Sequence, residues 1–217
     1  MKQAPSGGVT GAHPLDFPYF YLMTENATHG YPPSYALINQ ATRESGFTMA
    51  SDVNVGSFLK TLAASKPGGK FLELETGTGL STSWILDGMN SSASLISVDN
   101  DPAVLQIAKQ YLGNDHRLKL AESDGAGWIE ENKELTFDFI FADTWHGKYL
   151  MLEEVLNMLN PAAFYIVDDM LPQENWPDGH QEKATALVKI LEDRNDLLIS
   201  KLHWSTGVII AVKRPVD

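Results

Sequence analysis

The chain has 217 residues, no cysteine and a formal charge of −12, from 16 Lys and Arg against 28 Asp and Glu. The lack of cysteine excludes disulfides, thiolate metal sites and cysteine nucleophiles. The acidic balance disfavours a nucleic-acid partner, because phosphate binding needs a basic surface. No apolar run approaches the roughly 20 residues that span a bilayer, and the N-terminus has no apolar signal segment. We therefore expect a cytoplasmic protein with no membrane partner.

Three regions are predicted along the chain. Residues 1–16 are rich in Gly, Pro and small polar residues, which is typical of a flexible tail. Residues 17–66 begin with an aromatic cluster and continue into two predicted helices, one over about 34–44 that stops at Gly46 and one after Ser51. An aromatic cluster must pack somewhere, so we expect this region to form a cap, a homodimer contact or both. Residues 67–217 are predicted to form an α/β domain that makes one compact unit with the cap.

Strands and helices alternate through the α/β region. Five apolar strands are predicted, over 71–74, 94–98, 118–121, 137–142 and 164–167. Helices lie between them, the fourth ending near Leu159 before Pro161, and a later helix over 181–193 precedes a hairpin of 197–202 and 208–212. This order predicts a doubly wound, mostly parallel seven-stranded sheet with helices on both faces and a C-terminal antiparallel hairpin. Ligands of such sheets bind at the carboxyl ends of the strands.

Acidic residues follow nearly every predicted parallel strand. A single Asp at such a position is as readily a helix cap as a ligand-binding residue. A set around one crevice favours a binding site, and this set comprises Glu73, Asp99, Asp124, Asp143, Asp168 and Asp169.

The first strand is followed by a glycine-rich turn that contains Gly77 and Gly79. Thr82 stands where a dinucleotide fingerprint has its third glycine, so that fingerprint is incomplete. Asp99 ends the second strand about 20 residues later, where an acid binds ribose hydroxyls. Turn and acid together predict a nucleoside-containing ligand, and leave a nicotinamide-dependent oxidoreductase as one alternative.

Several motifs resemble those of class I S-adenosylmethionine-dependent methyltransferases, and most closely the catechol and caffeoyl-CoA O-methyltransferase group. The resemblance covers roughly residues 47–214. It is carried by FLELETGTGLS (71–81), SVDNDP (97–102), ESDG (122–125), FADTWHGKY (141–149) and IVDDM (166–170).

The resemblance implies a set of S-adenosylmethionine contacts. Glu73 is the acid of the first motif, and Gly77, Gly79 and Ser81 would contact the methionine part. Asp99, with Asn100 beside it, would hold the ribose. Ser123 and Asp124 would lie near the adenine, with Trp145 over its ring. Met49 and Ser51 match a further segment close to the cofactor.

The resemblance also implies a divalent cation, such as Mg²⁺, on Asp143, Asp168 and Asp169. Such a cation would bind an acceptor hydroxyl and lower its pKa. His146 stands where the family has a Lys as base, so Asp143 and His146 are the predicted catalytic residues. Asp169 replaces the family's Asn, and three carboxylates overcompensate a divalent charge. A metal-free mechanism, with one of these carboxylates as base, therefore stays open.

Glu75 occupies a position at which the first motif normally has glycine. Its side chain would either meet the cofactor or displace the turn, and we count it among the cofactor contacts. Trp176 and Pro172, in the loop after the acidic pair, are predicted to form a wall of the acceptor site.

The predicted function is O-methyl transfer to a small, hydroxylated and preferably aromatic molecule. One alternative, based on Glu75, is a catalytically silent protein that binds S-adenosylmethionine or S-adenosylhomocysteine. The sequence does not identify the acceptor.

Overall fold

The computed structural model describes residues 30–173 and 176–215. The predicted tail (1–16) and the first part of the predicted cap (17–29) lie outside the described residues. In chain order the elements are α1 (Tyr35–Ser45), α2 (Val53–Ala64), β1 (Lys70–Leu74), α3 (Leu80–Gly88), β2 (Ser94–Asp99), α4 (Pro102–Leu112), β3 (Leu118–Glu122), α5 (Gly125–Asn132), β4 (Phe137–Ala142), α6 (Leu152–Asn157), β5 (Leu159–Val167), α7 (His180–Glu192), β6 (Leu197–Leu202) and β7 (Val208–Lys213).

The strands form one seven-stranded sheet in the order β3-β2-β1-β4-β5-β7-β6. The first five are parallel, and β7 runs antiparallel to both β5 and β6. The central strands are apolar on both faces, as expected for strands covered by helices on each side. The predicted doubly wound sheet with a terminal hairpin is confirmed. Among the described helices, none is long and apolar enough to cross a bilayer.

Helices α1 and α2 pack on the same sheet as the rest of the domain. Ile38, Val55 and Leu59 are buried in one cluster with Phe71 and Trp84. Gly46 ends α1 in a left-handed conformation, as predicted. The described part of the predicted cap is therefore continuous with the core of the α/β domain.

One predicted boundary is wrong. Helix α6 ends at Asn157, not near Leu159, and Pro161 lies inside β5 instead of stopping a helix. The pairing of β4 with β5 shifts register between Phe137 and Phe139, so that Pro161 falls in the irregular stretch. A bulge tolerates proline because the residue there does not donate to the ladder.

Helices α2 and α3 approach closely at two glycines. A Cβ added to Gly56 would lie 2.3 Å from Cδ1 of Trp84, and one added to Gly88 would lie 2.2 Å from the carbonyl oxygen of Lys60. Trp84 is fully buried, so it has little room to move aside. This contact fixes α2 against α3.

We predict that Gly56→Ala lowers the free energy of unfolding by about 1–3 kcal/mol, the usual cost of overpacking a core. Gly127→Ala is the matched control, because a Cβ there meets nothing closer than 3.8 Å. In a helix with open space, Ala in place of Gly stabilises by up to about 1 kcal/mol. Urea unfolding of both variants measures the difference, and equal effects would contradict the close contact.

Candidate active site

The turn between β1 and α3 forms the floor of the site. Gly77 and Gly79 have φ values of 52° and 93°, which glycine adopts without strain. A Cβ on Gly79 would lie 3.0 Å from a methyl group of Leu112, so α3 starts against α4. The Glu75 amide donates to the Val98 carbonyl at 2.9 Å, which joins the turn to β2. Glu75 itself has a φ of 90°, a conformation that a glycine would adopt at lower cost.

Glu73 lies completely buried beneath this turn. Its Oε2 accepts hydrogen bonds from Thr82 Oγ1 at 2.5 Å and from Ser97 Oγ at 2.6 Å, and its Oε1 has no hydrogen-bond partner among the described residues. Burial raises its pKa to about 7, against these hydrogen bonds, which lower it. Glu73 and Ser81 were predicted to contact the cofactor, but neither lines the three pockets at this edge of the sheet. Glu73 supports the turn from below through its two hydrogen bonds.

Asp99 connects the turn to the end of β2. One carboxylate oxygen accepts from the Gly77 amide at 2.7 Å, and the other accepts from the Asp101 amide at 2.9 Å. Asp99 also lines a cleft, called here the nucleoside cleft, with Phe47, Met49, Leu74, Glu75, Val98, Asn100, Asp101, Val104, Ser123, Gly125, Thr144 and His146. A carboxylate with fixed orientation at this edge is suited to bind ribose hydroxyls.

The predicted cofactor contacts fall into three sets. Met49, Glu75, Asp99, Asn100 and Ser123 line the nucleoside cleft. Ser51 and Gly77 line a small adjoining pocket that also reaches Asp143. Gly79 and Asp124 line none of these pockets, and Asp124 instead caps α5 by accepting from the Gly127 amide at 3.1 Å.

The loop after β4 exchanges the positions expected for Trp145 and His146. His146 lines the nucleoside cleft beside Gly125, where a Cβ would lie 2.9 Å from the imidazole. Trp145 lines a second pocket, which also contains Asp143. The prediction of Trp145 over the adenine, and of His146 as the base facing the acceptor, is therefore not supported. The missing side chain at Gly125 provides the room that His146 occupies.

This second pocket, called here the acceptor pocket, is lined by five carboxylates, Asp52, Glu75, Asp143, Asp168 and Asp169, of which Asp52 caps α2. Asp168 accepts from the Asp169 amide at 2.8 Å and from the hydroxyl of Thr206. Burial raises the pKa of Asp168 to about 6, and the Asp169 charge adds to this. Burial, followed by the Asp168 charge, also raises the pKa of Asp143 well above its usual range. Oδ1 of Asp143 is buried, with no hydrogen-bond partner among the described residues.

A lysine that the sequence reasoning missed lies among these acids. Lys148 is only 3% exposed, and its Nζ lies 4.0 Å from Oδ1 of Asp143. The one available signal was its place in the loop motif, five residues after Asp143. Nothing in that motif indicates that the side chain turns inward.

Aromatic rings form the outer wall of the acceptor pocket. Trp176 stacks on His180 at 4.3 Å between ring centroids, and Trp145 and Tyr149 contact the same imidazole edge-on. The Tyr149 hydroxyl and Nε2 of His180 are 3.1 Å apart. Trp176 lies in the wall as predicted, whereas Pro172 does not line the pocket and Pro177 does. His180 also lines the pocket and was not among the residues predicted for the site.

The acidic set does not have the geometry of a metal site. Carboxylates are suitable ligands for Mg²⁺, but it requires near-octahedral convergence of oxygens. In residues 30–173 and 176–215, no three acid or imidazole side chains converge on a common point. One Asp168 oxygen is already hydrogen-bonded, and the Lys148 ammonium lies beside Asp143. The predicted ligands therefore do not fit a divalent cation in this arrangement.

Comparison with known proteins agrees with this architecture. Residues 74–170 match a family described as a methyltransferase domain. This segment, which is less than half of the chain, is similar to methyltransferase domains. The resemblance to the catechol and caffeoyl-CoA O-methyltransferase group is confirmed.

Catechol O-methyltransferase B of Danio rerio is 28% identical over 158 residues, which are 68% of this chain and 60% of that protein. The chain therefore spans less than two thirds of this curated relative. An O-methyltransferase from Bacillus cereus, solved in complex with SAH, superposes with a TM-score of 0.76 at 17% identity, over 90% of this chain and 96% of that one. An O-methyltransferase of Streptomyces achromogenes involved in tomaymycin synthesis, solved in complex with SAM, superposes with a TM-score of 0.76 at 18% identity, over 90% of this chain and 94% of that one. At these identities the two solved structures establish the methyltransferase fold.

We predict that Glu73 makes stability depend on pH. Its pKa is about 7 in the folded protein and about 4.5 ordinarily, so the folded state retains a proton that the unfolded state releases between these values. The free energy of unfolding should therefore fall as the pH rises through this range. Glu73→Gln removes this loss. Its free energy of unfolding, relative to that of the parent, should therefore rise by about 3 kcal/mol from pH 5 to pH 8.

Urea unfolding at both pH values measures this difference. Glu131→Gln, at an exposed position, is the control for loss of one negative charge. A difference between Glu73→Gln and its parent that is the same at pH 5 and pH 8 would contradict the buried carboxylic acid.

Proposed function

We propose that the protein is an S-adenosylmethionine-dependent O-methyltransferase, and that its acceptor is a small hydroxylated aromatic molecule. One observation carries this proposal. The nucleoside cleft and the acceptor pocket share Met49, Glu75 and Thr144 as a common wall. A donor in the first and an acceptor in the second would meet at this wall.

The placement of S-adenosylmethionine follows from the lining residues. The ribose would lie against Asp99, whose carboxylate is fixed by two backbone amides. The adenine would lie between Ser123, Gly125 and His146, which takes the ring-facing position expected for Trp145. The methionine part would extend along Gly77 into the small pocket that ends at Asp143. This path brings the sulfonium to the shared wall.

The aromatic wall supports an aromatic acceptor. Trp145, Tyr149, Trp176 and His180 are arranged edge-on or stacked around one side of the acceptor pocket. Aromatic rings prefer such tilted and offset partners, and they bury large apolar areas. Carboxylates line the same pocket, so a planar acceptor stacked on this wall would turn its hydroxyl toward them.

The transfer itself needs a proton acceptor and correct alignment. Asp143 lines both the acceptor pocket and the small pocket, and its raised pKa makes its ionised form a stronger base than an ordinary carboxylate. The acceptor oxygen would give its proton to Asp143 and attack the methyl carbon, while the C–S bond breaks and its electron pair stays on sulfur. Holding the two reactants in line accounts for most of the expected rate enhancement. His146 lies in the other cleft and has no role in this step.

The test is transfer of a labelled methyl group to a panel of small phenols and catechols, with the product identified by mass spectrometry. A labelled methyl ether and S-adenosylhomocysteine in equal amounts are expected. Binding of S-adenosylmethionine by calorimetry without any product would favour the silent-binder alternative. Binding of NAD(H) in place of S-adenosylmethionine would favour an oxidoreductase.

We predict that Glu75 makes the site prefer S-adenosylmethionine over S-adenosylhomocysteine. Glu75 lines both pockets at the point where the sulfonium would lie, and only S-adenosylmethionine carries that positive charge. In Glu75→Gln the preference should fall about tenfold, since hydrogen bonds and contacts to charged groups contribute ~1.5–3 kcal/mol. Calorimetric titration of both ligands at pH 8 measures the ratio.

Asp101→Asn is the control for this change. Asp101 lines the same cleft but caps α4, and Asn is an equally good cap. The ratio of the affinities of Asp101→Asn for S-adenosylmethionine and S-adenosylhomocysteine should match that of the parent. An unchanged ratio in Glu75→Gln would mean that the sulfonium lies away from Glu75.

A further inference from the structure

Lys148 is an unusual residue for its surroundings. Its side chain is almost wholly buried, at 3% exposed. The nearest anionic atom among the described residues is Oδ1 of Asp143, at 4.0 Å. Burying a charged side chain costs free energy, so such a residue is retained where neighbouring groups compensate the charge.

The compensation comes from the acidic set around it. Glu75, Asp143 and Asp168 all lie within Coulombic range of the Lys148 charge. Among the residues that line the acceptor pocket, Lys148 is the one lysine or arginine. Three carboxylates thus lie within range of one positive charge, and Lys148 lines the pocket together with them.

Lys148 is not tied to Asp143 by a direct hydrogen bond, since Nζ and Oδ1 are 4.0 Å apart. Both residues line the acceptor pocket. An acceptor hydroxyl in that pocket would accept from the ammonium and donate its proton to the Asp143 carboxylate.

We propose that Lys148 supplies the positive charge of the acceptor pocket, and that its ammonium donates to the acceptor oxygen in the place where the motif resemblance predicts a divalent cation. This inference rests on the proposed function. It follows from the disagreement between three predicted metal ligands that do not converge and a lysine that lies among them.

The charges and bonds balance in this arrangement. The acceptor's O–H proton passes to Asp143, the O–C bond forms, and the C–S bond breaks to leave a neutral thioether. Lys148 keeps its three protons throughout and stabilises the negative charge that develops on the oxygen. Such a preplaced charge in a desolvated pocket is an effective form of transition-state stabilisation.

The test measures whether Lys148 keeps divalent cations out of the acidic set. The apoprotein is titrated with Mn²⁺, and the free ion is counted from its electron paramagnetic resonance signal. The parent and Lys148→Arg, which keeps the charge, should bind no Mn²⁺ in this pocket up to about 1 mM, the weak end of protein carboxylate sites. Lys148→Met and Lys148→Gln should each gain one site at least tenfold tighter, because the carboxylates around Lys148 lose their counter-charge.

Two results would overturn the proposal. The first is one equivalent of Mn²⁺ bound by the parent and lost in Asp143→Asn, which would establish a metal site in the unaltered protein. The second is the absence of any gain in both Lys148→Met and Lys148→Gln, with circular dichroism confirming that one of them folds. The titration contains neither S-adenosylmethionine nor an acceptor, so it gives an answer even where the proposed transferase activity fails.

Discussion

The hydrogen bond from the Gly77 amide to Asp99 joins the two strand ends on which the rest of the site is built. It requires Gly77 to adopt a left-handed conformation and the first turn to lie flat against the end of β2. Beneath the same turn, Glu73 accepts from Thr82 of α3 and from Ser97 of β2, so the carboxylate connects three elements. The hydrogen bond to Asp99 and the two hydrogen bonds to Glu73 together fix the position of the turn relative to the sheet. The nucleoside cleft, the small pocket and the acceptor pocket all share residues of this turn or its immediate neighbours.

The formal charge of −12 divides into two physically different parts. Most acidic side chains, such as Glu131, are exposed and contribute to an ordinary solvated surface. A small group lies at the carboxyl edge of the sheet, where burial raises the pKa of Glu73, Glu75, Asp143 and Asp168. These groups cost stability when ionised. Their concentration at one edge is a mark of a functional site rather than of a favourable fold.

The fold was predictable because each element carries a local pattern. Apolar strands bounded by turn residues and amphipathic helices suffice to indicate the order of elements. The boundary between α6 and β5 was not predictable, since the position of Pro161 depends on a register shift against a distant strand.

In the site, too, some residues were predictable from the sequence and others were not. Asp99, Ser123 and Gly77 follow strand ends and were found from the sequence, because parallel strands bring their carboxyl ends together. The exchange of Trp145 with His146 depends on the path of the loop through Gly147, at φ 87°, and on the space above Gly125. The inward direction of Lys148 depends on the same path. No spacing of residue types encodes it.

Glu75 has a left-handed backbone conformation, which lowers the stability of the folded chain. A non-glycine residue in this conformation lowers the free energy of unfolding by about 1–3 kcal/mol. The neighbouring Gly77 and Gly79 also have positive φ values, which glycine adopts without this cost. The chain nevertheless carries a carboxylate there, between the two ligand pockets. A sequence optimised only for thermal resistance would place glycine at this position. Glutamate at this position lowers the stability of the fold but places a carboxylate between the two pockets, as expected where stability and activity make opposing demands.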